Sequence, residues 1–148
     1  MEFVTPAQKE TYEKIRPWIQ ELFGVFAFER SDYPVFGVAV GSAYSTTGVH
    51  PWGEDQATIC TRAYVVTDVE RTPDLMEYLL QQNGLMRFGA FGMDENGDIF
   101  FEHTILGAAC DKGELKASIM AVISVADSTD DEIMSRWGGR RAVDRTGV

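Results

Sequence analysis

Between Arg87 and Ile105 the chain reads RFGAFGMDENGDIFFEHTI, two apolar arms around an acidic, glycine-containing centre. The arms, Arg87–Met93 and Asp98–Ile105, flank Asp94-Glu95-Asn96-Gly97, and the Asn-Gly pair suits the positive φ angles of a tight turn. In the second arm Ile99, Phe101, His103 and Ile105 alternate with Asp98, Glu102 and Thr104. That period of two is the mark of a strand with one buried face. The stretch is therefore a β-hairpin, and the domain contains antiparallel sheet. His103 falls in phase with the apolar positions, which makes it a hydrogen-bonded structural histidine on the core face.

Helices bracket this hairpin. On its N-terminal side, Thr72-Pro73-Asp74 carries a cap and a proline at the first helical position. Leu75, Met76, Leu79 and Leu80 form the stripe of that helix, and Asn83-Gly84 closes it as a left-handed C-cap would. On the other side a helix starts near Asp111, with Glu114 as its capping-box partner. Leu115, Ile119, Val122 and Ala126 make its inward stripe, Ile133 and Trp137 continue the phase, and Gly138-Gly139 ends it. Ser128-Thr129 is the place where it could break.

Further upstream, Thr5-Pro6 opens a helix that runs to Phe23 with Tyr12, Ile15, Ile19 and Leu22 on one side. Three strands are expected after it: Val25–Glu29, Val35–Tyr44 and Ala57–Val66. The connection from Ser45 to Gln56 contains Gly48, Pro51 and Gly53 and reads as a long loop. The resulting order, α-βββ-α-ββ-α, is an α+β domain: an antiparallel sheet with helices packed on it. Residues 1–139 form one domain, and residues 140–148 a frayed tail.

The chain has 148 residues, a length that fits one domain. Hydrophobic residues make up 45%, enough for a core, so disorder is excluded for most of it. A formal net charge of −10 argues against nucleic acid, whose recognition needs a basic footprint. No run approaches the roughly 18 apolar residues of a membrane span, and no basic n-region with an apolar h-region opens the chain. The expectation is a cytoplasmic protein without membrane insertion. Cys60 and Cys110 fit reduced, packed thiols better than a disulfide framework, although Arg62 beside Cys60 would lower that thiol's pKa.

Chemistry-bearing constellations are few. His50 lies near Glu54 and Asp55, so this segment supplies the alternative reading: a small-ligand or metal-binding sensor or enzyme. Asp94, Asn96 and Asp98 imitate the start of a calcium loop, but Ile99 and Ile105 stand where Gly and Glu are needed. No nucleophile elbow, phosphate loop or dinucleotide fingerprint is present. No catalytic residue, metal ligand or cofactor is therefore assigned.

Charge and aromatics point to binding instead. From Arg136 onward four arginines oppose Asp144, a balance of +3 that leaves −13 on the preceding residues. Such a segment either complements a helix end or docks on an acidic surface, its own or a partner's. Phe26 and Phe28 share one strand face and are placed in the core. Trp52, in a polar loop, and Trp137, at a helix end, are aromatic anchors of the kind favoured at interfaces. With His50, Arg140 and Arg141 they make up the candidate partner-binding set.

The element order, with the Arg87–Thr104 stretch, resembles the type III secretion chaperones and the related YbjN-like bacterial proteins. In that stretch one arm ends in small and aromatic residues, an acidic turn follows, and an apolar arm closes on a polar residue and His103. The Thr72-Pro73 helix and the Asp111–Trp137 helix fall where that family has them. The resemblance implies a homodimer and a non-enzymatic role: holding another protein, or acting as a regulatory or assembly factor. A partner segment would then lie along a sheet edge or hydrophobic groove, with the acidic surroundings keeping the complex soluble.

Overall fold

The computed structural model of the chain describes residues 1–41 and 43–145. Helix α1, Pro6–Phe23, begins as its caps dictate: Thr5 accepts from the Gln8 N–H at 3.2 Å, and Pro6 follows it. A single 3-10 turn leads into β1, Ala27–Glu29, then β2, Val35–Val40, β3, Ala43–Trp52, and β4, Gln56–Thr67. Helix α2, Pro73–Leu85, separates these from the hairpin of β5, Ala90–Met93, and β6, Ile99–Leu106. Helix α3, Lys112–Trp137, carries the full capping box at Asp111 and Glu114 and runs unbroken past Ser128-Thr129. Its 26 residues span about 39 Å at roughly 1.5 Å per residue.

All strand pairs are antiparallel, in the order β1-β2-β3-β4-β6-β5. The expected loop over residues 45–56 is the main correction. Most of it is strand: β3 pairs with β4 from Thr46↔Arg62 to Trp52↔Gln56, and the turn is confined to residues 53–55. Pro51 is tolerated because β2 pairs with β3 no further than Gly48, so the side where its N–H is missing faces no strand. Gly53, at φ +65°, turns the chain. In the β5–β6 hairpin only Gly97 takes a positive φ, while the Asp94 carboxylate accepts from the Asn96 and Asp98 N–H groups. Helix α2 passes through Asn83-Gly84 to Leu85 rather than ending there.

Odd-numbered residues of β3 and β4 face the helices. Ala57, Ile59, Ala63 and Val65 are buried, whereas Thr58, Cys60, Arg62 and Tyr64 turn to the opposite face and are half-buried or exposed. The core divides in two. One cluster holds Tyr12, Ile15 and Ile19 of α1 against Phe36, Val38, Val49 and Ile59. The other holds Leu75 and Leu79 of α2 against Phe91, Ile99 and Phe101. Between them, on β4 and β6, sit the register partners Thr61 and His103. Thr61 shares a hydrogen bond with Thr47 at 2.9 Å, and His103 Nδ1 meets Ser118 Oγ at 2.8 Å. His103 is thus the bonded structural residue expected.

Helix α3 belongs to both clusters. Leu115, Ile119 and Ile123 close the first, and Val122, Ala126, Ile133 and Trp137 the second. The segment expected to fray from Arg140 starts instead by pairing: β7, Arg140–Arg141, adds to β4, and a short helix α4, Ala142–Arg145, follows. Residues 146–148 of that tail lie outside the described residues.

Ile119 is fully buried in the N-terminal third of α3. Ile119→Ala should therefore lower unfolding stability by about 2–5 kcal/mol. Urea denaturation followed by circular dichroism measures it.

Candidate functional site

A sheet with helices on one face still presents two edges and the other face, and these treat their apolar surface differently. At the β5 edge, the Asn83 side chain donates to the Phe91 carbonyl at 3.1 Å and accepts from the Phe91 N–H at 2.6 Å. A side-chain amide thereby imitates a neighbouring strand and satisfies the backbone groups of Phe91. The β1 edge lacks such a plug among the described residues. It holds three residues, tied to α1 through Glu29, which accepts from Tyr12 Oη and from Arg16 Nε at 3.0 Å. Burial and the Glu29 carboxylate push the Tyr12 hydroxyl pKa up, so it serves as a donor.

Apolar side chains crowd this open edge. Val25 is 94% exposed, Phe26 58% and Phe28 49%. The expectation that Phe26 and Phe28 enter the core fails here, because a three-residue edge strand offers one inner position, which Ala27 takes. Phe28 lies on the outer face. Its ring crosses Gly37, where a Cβ would come within 2.1 Å of Phe28 Cζ, and stacks on Tyr44 at 5.7 Å between centroids. Only a glycine leaves room for the ring.

Beside the edge an open groove of about 600 Å³ runs between α1 and β1, with Glu13, Pro17, Gln20, Ala27, Phe28 and Phe36 on its walls. A second hollow, of about 500 Å³, extends it past Arg16 and Glu29 toward Phe3 and Met1. Pro17 sits inside α1 and has no N–H to donate to the Glu13 carbonyl, so that acceptor stays available on the groove wall.

The residues singled out from the sequence do not form one site. His50 and Trp52 are exposed on β3 and pair with Thr58 and Gln56 at the start of β4, whereas Arg140 and Arg141 pair at its end. The two groups stand about 30 Å apart at roughly 3.3 Å per residue. Trp52 is 64% exposed. Trp137 is buried: its Nε1 donates to Asp74 at 3.1 Å, its ring packs on Tyr78 at 5.0 Å, and the Arg136 guanidinium lies over it at 4.1 Å. The arginines dock on the chain's own acidic surface, Arg141 on Asp130 at 3.3 Å and on Asp131, and Arg140 on Asp68 at 3.8 Å. Cys60 is a free, half-buried thiol, as a packed cysteine would be, and burial, reinforced by Glu102, outweighs Arg62 and raises its pKa.

His50, Glu54 and Asp55 do not assemble into a metal site: among the described residues no three His, Cys, Asp or Glu side chains come together to hold an ion. Nor, among those residues, is any helix long and apolar enough to cross a membrane.

A family model described as T3SS (YopN, CesT) and YbjN peptide-binding chaperone 1 matches residues 10–145. The chain belongs to this family. Among solved structures, a chain of the ExsC–ExsE complex is similar at a TM-score of 0.65 and 15% identity, over 88% of this chain and 97% of its own. A chain of the HopA1–SchA chaperone–effector complex is similar at 0.61 and 11% identity, over 83% and 96%. At these identities the likeness speaks to the fold, which is that of the secretion chaperones. No curated protein matches the chain. As a member of a peptide-binding chaperone family it is a protein-binding domain, and nothing in these comparisons supports the small-ligand or metal alternative.

Removing the amide plug should be felt in two ways. Asn83→Ala leaves the Phe91 backbone unpaired and should cost about 1–3 kcal/mol in denaturation, with increased light scattering as the β5 edge opens. A separate prediction concerns acid. Burial lowers the His103 pKa below its usual value near 6.5. Unfolded chains then take up a proton that the folded protein refuses, so stability falls as pH drops from about 6.5 toward the lowered value. Melting temperatures across this window should fall more steeply for the wild type than for His103→Gln.

Proposed function

We propose that this chain is a non-enzymatic, chaperone-like protein that holds an extended apolar segment of another protein along the β1 edge, with side chains entering the α1–β1 groove. One observation carries this reading: Val25 and Phe26, in the turn that enters β1, and Phe28, on β1 itself, are exposed at the sheet edge beside the groove, where the Ala27 N–H is taken by the Gly24 carbonyl and no side chain plugs the strand among the described residues. Strand addition there gives main-chain hydrogen bonds and apolar pockets at once. The net charge of −10 keeps a protein with such a strip in solution and favours partners with basic flanks. Support also comes from the similar chains, each solved in a complex, one of them named chaperone–effector.

In this reading residues 1–139 act as a single domain, to whose sheet β7 adds Arg140 and Arg141, and the working form is a homodimer in the bacterial cytoplasm. His50 and Trp52, which stay on the surface, flank the bound segment. Trp137, Arg140 and Arg141 act from within, by fixing α3 and β7 against the sheet.

Affinity capture with mass spectrometry tests the reading. A Phe26→Ser/Phe28→Ser protein should stay folded, with a lower melting temperature from the lost Phe28–Tyr44 stacking, and lose its co-purifying partner by about tenfold or more, since exposed aromatic anchors dominate such interfaces. Trp52→Ser should lose less. Undiminished partner on the double variant would move the site away from β1, and a monomer by light scattering would remove the dimer.

A further inference from the structure

The end of β4 carries a second place for strand addition, which the chain fills itself. Strand β3 pairs with β4 no further than Arg62, so one side of Val66 and Thr67 is open to another strand. Arg141 and Arg140 pair there, antiparallel to Val66 and Thr67. They reach it through Gly138 and Gly139, at φ +75° and +89°. The approach is close: a Cβ on Gly139 would lie 2.7 Å from the Thr67 carbonyl oxygen.

Three carboxylates, on Asp68, Asp130 and Asp131, receive the two guanidinium groups. Ala142 and Val143, which follow, wall a groove of about 340 Å³ on the outer face with Tyr44, Arg62, Tyr64 and Thr67. Thr67 is 3% exposed, and its Oγ1 lacks a hydrogen-bond partner among the described residues. A polar group buried at that point remains to be satisfied.

From these contacts we infer that the end of β4 is a strand-addition slot for a basic extended segment, occupied in cis by Arg140-Arg141, and that an arginine-containing strand of a partner displaces it and opens the outer groove. The occupant itself states the chemistry: two paired backbone residues, two guanidinium groups against three carboxylates, then small apolar side chains. It is weakly held. Two residues of ladder and ion pairs whose arginines are 75% and 39% exposed make a contact that opens without the core. Asp130 lies in the slot, where burial raises its carboxyl pKa, and a second cation beside it relieves that cost. This slot is distinct from the β1 edge: it lies at the end of the central strand β4, on the flank that β3 leaves open, with β2 and β3 between β4 and β1 in the sheet order.

The probe is a synthetic peptide of residues 138–145, titrated into isotope-labelled full-length protein and followed by amide chemical shifts. In an Arg140→Glu/Arg141→Glu protein the slot is vacated, and the Val66, Thr67 and Asp68 amides should shift on titration. The wild type should need about tenfold more peptide, because its own segment competes at high effective concentration. A peptide with both arginines replaced by glutamate should not bind, and salt should weaken the effect. A folded variant whose 66–68 amides stay still, or equal binding of the glutamate peptide, overturns the proposal.

Should that variant not fold, hydrogen exchange of the wild type decides. Amides of Arg140, Arg141 and Thr67 should exchange faster at about 1 M than at about 0.1 M salt, with Ile119 and Phe101 unchanged. Exchange of both sets together would show that the segment opens only with the whole domain, and the slot would not be exchangeable.

Discussion

Everything in this molecule hangs on the apolar stripe of α3 against the inner face of the sheet. Two core clusters, one under α1 and one under α2, touch the same helix and are separated on the central strands by Thr61 and His103. Neither cluster is large. A 26-residue helix that contributes Leu115 and Ile119 to one and Ile133 and Trp137 to the other makes their stability common property. The polar band beneath it is satisfied by Thr47 and Ser118, so joining the clusters leaves those buried groups bonded.

With three helices committed to one face, the chain has its other face and its edges left for binding. The outer face is not bare apolar surface. Arg62 pairs with Glu102 at 2.8 Å and covers the Phe100 ring at 3.9 Å, so a charged network shields the aromatic beneath. Exposed apolar side chains remain at the β1 end, in Val25, Phe26 and Phe28, and also on α2, in Leu80 and Leu85.

How legible this was depended on how local each signal is. Caps at Thr5, Thr72 and Asp111, and the stripe of α3, are written within a few residues and were read correctly. The hairpin was legible for the same reason. Strand β3 was not, because Gly48, Pro51 and Gly53 are loop residues by propensity. Only the tertiary fact that β2 stops at Gly48 frees Pro51 to lie in a strand. Phe26 and Phe28 misled because hydrophobicity alone cannot say that a strand is short and at an edge. Asn83 was read as a helix stop, although its partner, Phe91, lies on the next strand. The acidic and basic runs near residues 127–141 left two readings open, a helix end or a docked segment, and the tail was expected to fray; the pairing of Arg141 with Asp130 and Asp131 depends on a turn at Gly138-Gly139 that charge alone does not reveal.

The plug at Asn83 sets the valence of the sheet. A ribbon with two free borders can extend in both directions and has no natural end. Here one border carries a side chain that belongs to the fold and takes up the Phe91 backbone groups, so a strand added at β5 must first displace Asn83. Two copies meeting through β1, or one copy and one client strand, would each form a terminated complex. Growth through the ladder is thereby disfavoured at β5, and an assembly built on the other border would tend to stop at a finite number of chains.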